Sequence, residues 1–425
     1  MCFVLDGQNL GQVFISACQN TMKRILYIHH GGELGGAPLS LLFLLEQLDR
    51  DRYDPVLLFL ADGAAVDVFR SKGYECHLAL DINDFSQTEL VWYGNSLLWQ
   101  LPGKILSFAS SVRATHNYLR RLKPDLVHLN SSTLAASAQA SHEADIPVVW
   151  HIREPLARGY FGLRRKWLRQ RIDRHADRVV SISDYDASQL LPSDRVRVIH
   201  NFVDFSVYSR NIDAKKAREL YNLESIKNVV TMLGGCSKPK GTLQFVRALP
   251  FVLDRKPDTC FLIAGPNPLI MAKSSSDKFI RRLLLLDEYD HRVMQVAEEF
   301  IASDHLRLLG VRRDVPQLIA ATDILVFPST VPHFARPVIE ASAMAKPVIA
   351  SDIGGPRELV VSEQTGLLIP PDDPEQLAAA IISLLDDPEL MTQMGEKGYR
   401  RATNKFDAKV NSGRTFAVYD ELLMT

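Results

Sequence analysis

The chain has 425 residues, 46% of them apolar and 23% charged, with a formal net charge of −1. That length exceeds one hydrophobic core and fits two domains, and the near-neutral balance argues against nucleic acid as the main partner, a local basic patch aside. Five cysteines (Cys2, Cys18, Cys76, Cys236, Cys260) without C-x-x-C spacing point to a reduced, cytoplasmic protein with neither a disulfide framework nor structural zinc.

In chain order, residues 1–21 lack the basic start and long apolar stretch of a secretory signal. They read as a mobile extension ahead of "MKRILYIHH", where Met22 resembles a natural start followed by a buried strand. No apolar run is long enough to cross a bilayer. Short apolar runs then alternate with amphipathic segments such as 39–48 and 107–122: "RILYI", "PVLLFL", "DLVHL", "PVVWH", "RVVSIS" and "VRVIHN". After a polar stretch at 209–225 the alternation restarts with "NVVTML", "TCFLIAG", "LRLLG", "DILVFPS", "KPVIAS" and "GLLIPP". Runs of this length, bounded by Gly, Pro and Asp, suit buried parallel strands. Two successive βαβ sets predict an α/β protein of two doubly wound domains facing across a cleft. The expected division is a domain over 22–208, a linker over 209–225, a second domain over 226–406 and a terminal helix over 407–425.

Ligands of such sheets bind beyond the carboxyl ends of strands, so polar residues there are the candidates. "HHGGELGGAPLS" follows the first strand and places Gly35 and Gly36 where backbone can approach an anion. Asp62, after the second strand, is either a ribose-binding acid or a turn aspartate beside Gly63. "WHIREP" ends another strand with His151, Arg153 and Glu154. "LGGCSKPKG" opens the second half with Lys238 and Lys240 among glycines and proline, a setting in which an ammonium can meet phosphate. The basic segment "GLRRKWLRQRIDRHADR" carries Arg164, Arg165, Lys166 and Arg169 around Trp167. It is either a solvated helix face or a peripheral contact with anionic lipid.

The ordered series of these strings, continued by "VPQLIAATDILVFPS", "RPVIEASAMAKPVIASDIGGPREL" and "TGLLIPPDDPEQLAAAI", resembles the retaining, nucleotide-sugar-dependent glycosyltransferases of family 4, which have the two-domain GT-B fold. The resemblance runs from about Lys23 to the end and is strongest in the second half. It implies transfer of a sugar from a nucleoside diphosphate to an acceptor hydroxyl, without a metal or bound cofactor, the nucleotide sugar being a co-substrate. It implies that Glu340 grips ribose, that Lys240 neutralises the diphosphate and that His151 lies near the reaction centre. It also matches Gly35 and Gly36 to the glycine-rich loop near diphosphate and acceptor, and Gly354, Gly355 and Glu358 to the loop beyond the nucleotide. By position, Gly235, Lys238 and the loop His333–Phe334–Ala335–Arg336 are further donor-side candidates, and Arg153 and Glu154 are acceptor-side candidates. The terminal helix is expected to pack back on the first domain.

Two positions depart from the family pattern. Pro332 stands where the family carries a carboxylate on donor-sugar hydroxyls, and Gly235 where it carries a phosphate-binding arginine. His333 is a candidate to turn inward onto the sugar, and Lys238 or Arg336 to supply the missing charge. The leading expectation is a transferase making cell-surface polysaccharide or glycolipid from a saccharide or lipid-linked acceptor, in the cytoplasm or at the inner face of the membrane. The alternatives are a non-catalytic partner protein of the same fold and a nucleotide-sugar epimerase or hydrolase.

Overall fold

A computed structural model describes residues 22–83, 101–266 and 288–424. The expected extension over 1–21, and the serine-rich lead-in to the segment ending at Phe300, lie outside the described residues.

The first sheet contains β1 (Lys23–His29), β2 (Tyr53–Phe59), β3 (Glu75–Leu78), β4 (Leu126–Leu129), β5 (Val148–Ile152), β6 (Arg178–Ser181) and β7 (Val196–Val198). All pair in parallel, in the order β3-β2-β1-β4-β5-β6-β7. The second contains β8 (Asn228–Leu233), β9 (Thr259–Ala264), β10 (Leu306–Gly310), β11 (Ile324–Phe327), β12 (Val348–Ser351) and β13 (Gly366–Ile369), again parallel, in the order β10-β9-β8-β11-β12-β13. Each central strand is buried on both faces, which is why it reads as a continuous apolar run. In β1, Leu26 and Ile28 feed one core layer while Ile25 and Tyr27 feed the other. In both sheets the strand order reverses beside the first strand, between β1 and β4 and between β8 and β11, and crevices open at such points.

The helix Ala408–Leu423 leaves the second domain and returns to the first. Tyr419 is fully buried there, with its hydroxyl 2.7 Å from His128 Nδ1. Asp420 accepts from Arg52 and from the Tyr53 hydroxyl, and Glu421 pairs with Arg178. The chain thus passes between the domains twice, and the two passages lie side by side: Val203 N–H donates to Phe406 O at 2.9 Å and Ala408 N–H to Val203 O at 3.2 Å.

Three expectations need correction. The helix Gly36–Glu46 is apolar around most of its circumference and packs its leucines into the core, so it is not amphipathic. The stretch 209–225 is no free linker. It carries the helix Ala214–Leu220, capped by Asp213, and Ala217, Tyr221 and Leu223 join the core around the second sheet. The basic helix Leu163–His175 does not hold all its candidate lipid-contact residues on one open face. Trp167 packs edge-on against Phe108 with ring centroids 5.7 Å apart, Arg165 and Arg169 donate to the Leu156 and Leu190 carbonyls, and Arg164 is buried toward the cleft. Lys166 stays exposed, beside the exposed Phe161 and Leu163.

Candidate active site

The loops beyond β1, β4, β5, β8, β9 and β11 enclose a cleft of about 780 Å³ between the domains. Both sheets therefore offer their switch points to one space.

On the second-domain wall, Gly234 and Gly235 turn the chain out of β8 with φ of +114° and +80°. Gly235 fits because a Cβ there would lie 2.2 Å from the Pro266 carbonyl oxygen. An arginine, as the family pattern expects, has no room on this backbone. Gly241, at φ +76°, passes so close to Pro328 that a Cβ would meet its oxygen at 1.7 Å. Between these tight points Lys240 rises into the cleft, and burial pushes its ammonium down to about 8. Lys238 is exposed and is not among the residues that line the cleft.

The loop after β11 brings His333, Phe334 and Arg336 to the same wall. Gly354 and Gly355 do not line the cleft; they let this loop lie flat, since a Cβ on Gly354 would be 2.3 Å from Pro332 Cβ and one on Gly355 2.9 Å from Phe334 Cα. Ala335 is buried beneath the loop at the N-cap of the helix Arg336–Ala343. One turn into that helix, Glu340 reaches the cleft with Oε1 held by Arg336 Nε at 3.1 Å and Nη2 at 2.9 Å. Arg336 spans the domains, donating from Nη1 to Ser40 Oγ at 2.9 Å and lying over the Phe43 ring. Its charge is thus already committed. Gly35 and Gly36 line the facing wall, where a Cβ on Gly36 would come within 3.8 Å of Arg336 Cδ.

On the first-domain wall the strand-end residues part company. Arg153 lines the cleft, donating from Nε to Asn130 Oδ1 and from Nη1 to Asn201 Oδ1 at 2.9 Å; burial lowers it to about 9. Glu154 also lines it, but its Oε1 is anchored by Ser131 Oγ, Ser132 N–H and Ser132 Oγ at 2.7–2.8 Å. His151 is not among the lining residues. It lies in the sheet below, its Nδ1 3.3 Å from His128 Nε2 and its Nε2 buried without a partner. Burial holds it well below the usual imidazole range, with Arg153 adding to the effect. The expectation that His151 sits at the reaction centre does not fit this geometry. Strand alternation gives His151 and Arg153 the same face, and only the residue beyond the strand end emerges. His30, Asn201 and Tyr208 also line the cleft and were missed: His30 lies in "HHGGELGGAPLS" and Asn201 ends "VRVIHN", strings read for their glycines and apolar run, while Tyr208 lies in no quoted string.

Two further candidates serve elsewhere. Asp62 Oδ1 accepts from Gly63 N–H and closes a turn. Glu358 lies outside the cleft and bridges the domains, accepting from Asp184 N–H at 2.8 Å and Tyr185 N–H at 2.5 Å. Burial alone would raise its carboxyl, but the His200 ring, 3.7 Å away, and the hydrogen bonds from these two amides hold it below the usual range. Among the described residues Asp184, His200 and Glu358 form the one grouping of possible metal ligands, and the Glu358 oxygens in it already accept backbone amides.

This fold and site define a two-domain α/β protein with its cleft at paired switch points. Residues 34–207 match the family model for Glycosyltransferase Family 4, and residues 213–401 match that for Glycosyl transferases group 1. The chain belongs to the family 4 glycosyltransferases of GT-B fold. It is 25% identical over 264 residues to the alpha-D-kanosaminyltransferase of Streptomyces kanamyceticus, covering 60% of this chain and 64% of that relative, just under two thirds of its length. It is 24% identical over 314 residues to the UDP-Gal:alpha-D-GlcNAc-diphosphoundecaprenol alpha-1,3-galactosyltransferase of Escherichia coli, covering 70% and 75% of the two chains. The crystal structure of Anabaena HepE with UDP and glucose superposes with a TM-score of 0.74 at 24% identity, covering 94% of this chain and 99% of that one. A Rickettsia africae glycosyltransferase gives 0.72 at 19% identity, covering 95% and 99%. Among the described residues no helix is long and apolar enough to cross a membrane.

Proposed function

We propose that the protein transfers a sugar from a nucleoside-diphosphate sugar to an acceptor hydroxyl with retention of anomeric configuration, in cell-surface polysaccharide or glycolipid synthesis. The observation that carries this reading is the placement of Lys240 and Glu340 on one wall of the cleft, opposite Arg153 and His30. A carboxylate suits vicinal ribose hydroxyls and an ammonium suits diphosphate. As the sugar–phosphate bond breaks, negative charge grows on the leaving oxygen. Lys240, aimed at that oxygen, stabilises the transition state more than the ground state. In this reading the cation does the work assigned elsewhere to a metal, so the reaction needs none. The acceptor enters along the Arg153 wall, and closure of the domains excludes water.

The acceptor in the name of the Escherichia coli relative, a sugar on diphosphoundecaprenol, favours a saccharide or lipid-linked acceptor here. Peripheral contact with an anionic membrane at the inner face would run through Phe161, Leu163 and Lys166, which the fold leaves exposed. Flotation with anionic and neutral liposomes tests that contact, and equal behaviour on both would refute it.

A panel of UDP-, GDP- and ADP-sugars, read as released nucleotide with and without lipid-linked acceptor, tests the activity. Turnover with one donor, undiminished by a chelator and giving a product of unchanged anomeric configuration by NMR, is the expected result. Absence of any nucleoside-diphosphate binding would overturn the reading.

A further inference from the structure

Lys240 and His333 come from different loops, after β8 and β11, and meet with Nζ 2.7 Å from Nε2. The other ring nitrogen, Nδ1, lies 3.2 Å from both the Val331 carbonyl oxygen and Ser329 Oγ. A carbonyl can only accept, so the imidazole proton sits on Nδ1 and Nε2 presents a lone pair. The ammonium is the donor in the pair. Around it, the Phe327 ring lies beneath Nζ with its centroid 5.3 Å away and edge-on to His333 at 5.4 Å. Gly234 leaves space for the lysine stem, since a Cβ there would be 3.3 Å from Lys240 Cδ and Cε.

We infer that His333 is a positioning residue for Lys240, fixing the ammonium over the cleft through its Nε2 lone pair, and is not a reader of the transferred sugar. What Lys240 binds is taken from the donor reading above, on which this inference rests. Two chemical consequences support the assignment. An imidazole with its proton turned to Val331 has no N–H to offer a sugar hydroxyl. A neutral partner also orients the lysine without cancelling its charge, as a carboxylate at the same place would, and leaves two ammonium hydrogens for diphosphate oxygens. Becoming an imidazolium would free His333 to donate, but burial first and the neighbouring Lys240 second hold its pKa well below the ordinary value. His333 thus turns inward, as the departure at Pro332 suggests, but toward the lysine.

The test has two arms. In the ligand-free protein, nitrogen-15 chemical shifts of His333 should show Nδ1 protonated and Nε2 bare across pH 5.5–8, and Lys240→Met should raise the pH at which the ring titrates. A ring protonated on Nε2, or one that titrates identically in Lys240→Met, overturns the inference. In the second arm, nucleoside and nucleoside-diphosphate affinities are measured by calorimetry for the wild type, His333→Leu and His333→Gln. The loss of a hydrogen bond to a charged group predicts about a tenfold weaker diphosphate affinity for His333→Leu with nucleoside affinity unchanged. His333→Gln, whose amide oxygen can accept from Lys240, should recover most of it. Unchanged diphosphate affinity in His333→Leu, with loss of discrimination among donor sugars, overturns it in favour of sugar reading. If the wild type shows the ring signature but binds no nucleoside diphosphate, the donor reading falls and the Lys240–His333 pair stands.

Discussion

Arg336 and Glu340 stand one helical turn apart, and the guanidinium holds a single carboxylate oxygen from two nitrogens while its third reaches Ser40 of the opposite domain. Both side chains are nearly buried, 9% and 8% exposed. The acid proposed to bind ribose is therefore oriented by an arginine that also touches the facing wall. Arg336→Leu strands a buried carboxylate, for which a loss of about 3 kcal/mol is expected. Thermal melts with and without nucleoside diphosphate should show lower stability and a smaller ligand-induced rise. An unchanged melting temperature would mean the pair carries no such weight.

Donor affinity should fall at alkaline pH. The Lys240 ammonium is pushed down to about 8 by burial, and a diphosphate binds its charged form. Below that pH the lysine is charged and affinity is flat. Above it, binding must take up a proton, and Kd rises toward about tenfold per pH unit. Calorimetry with a nucleotide sugar, whose esterified diphosphate does not titrate in this range, gives the profile. Lys240→Met should abolish the slope, and a slope that survives assigns the titration elsewhere.

Restoring the family arginine should fail. Gly235 has φ +80°, and the Cβ of any other residue would lie 2.2 Å from the Pro266 oxygen. Gly235→Arg is expected to cost roughly 3 kcal/mol or more through strain and loop displacement, and to lower donor affinity despite the added charge. Gly35→Ala, with no atom within 4 Å of the new Cβ, should melt as the wild type does. Higher donor affinity in Gly235→Arg would show that the loop can rearrange.

Arg153 and His151 should separate on substitution. Arg153→Lys cannot keep the two bonds to Asn130 and Asn201 and should lower turnover by about tenfold or more, with stability little changed. His151→Leu replaces a buried ring whose Nε2 is unpartnered, so turnover should hold while stability moves by about 1–2 kcal/mol in either direction. Steady-state kinetics beside denaturant melts decide this; a turnover loss confined to His151→Leu would return that residue to the site.

The architecture is legible in the sequence because central parallel strands, covered on both faces, leave uninterrupted apolar runs such as "TCFLIAG" and "DILVFPS". The strand-end loops then indicate the cleft, and Gly35, Lys240 and Glu340 all line it. Depth along a strand is less visible. His151 and Arg153 are equally polar and two residues apart, yet only the second clears the sheet. Contacts across long sequence separations are invisible in local pattern: Trp167 reads as a surface aromatic until Phe108 covers it, and Glu358 as a donor-loop acid until Asp184 and Tyr185 arrive from the other domain. Tyr208 lies in no quoted string, Asn201 merely ends the apolar run "VRVIHN", and both reach the cleft through the chain's path between domains.

The paired passages at Val203 and Asp407 have a consequence for any attempt to divide the molecule. Because the final helix seats Tyr419 against His128, the first domain is discontinuous in sequence. Cutting the chain between the sheets releases no self-sufficient half: a fragment ending near Val203 lacks the helix that fills its own core. Two pieces could still reconstitute it in trans, if a peptide spanning 407–424 were supplied to residues 22–206.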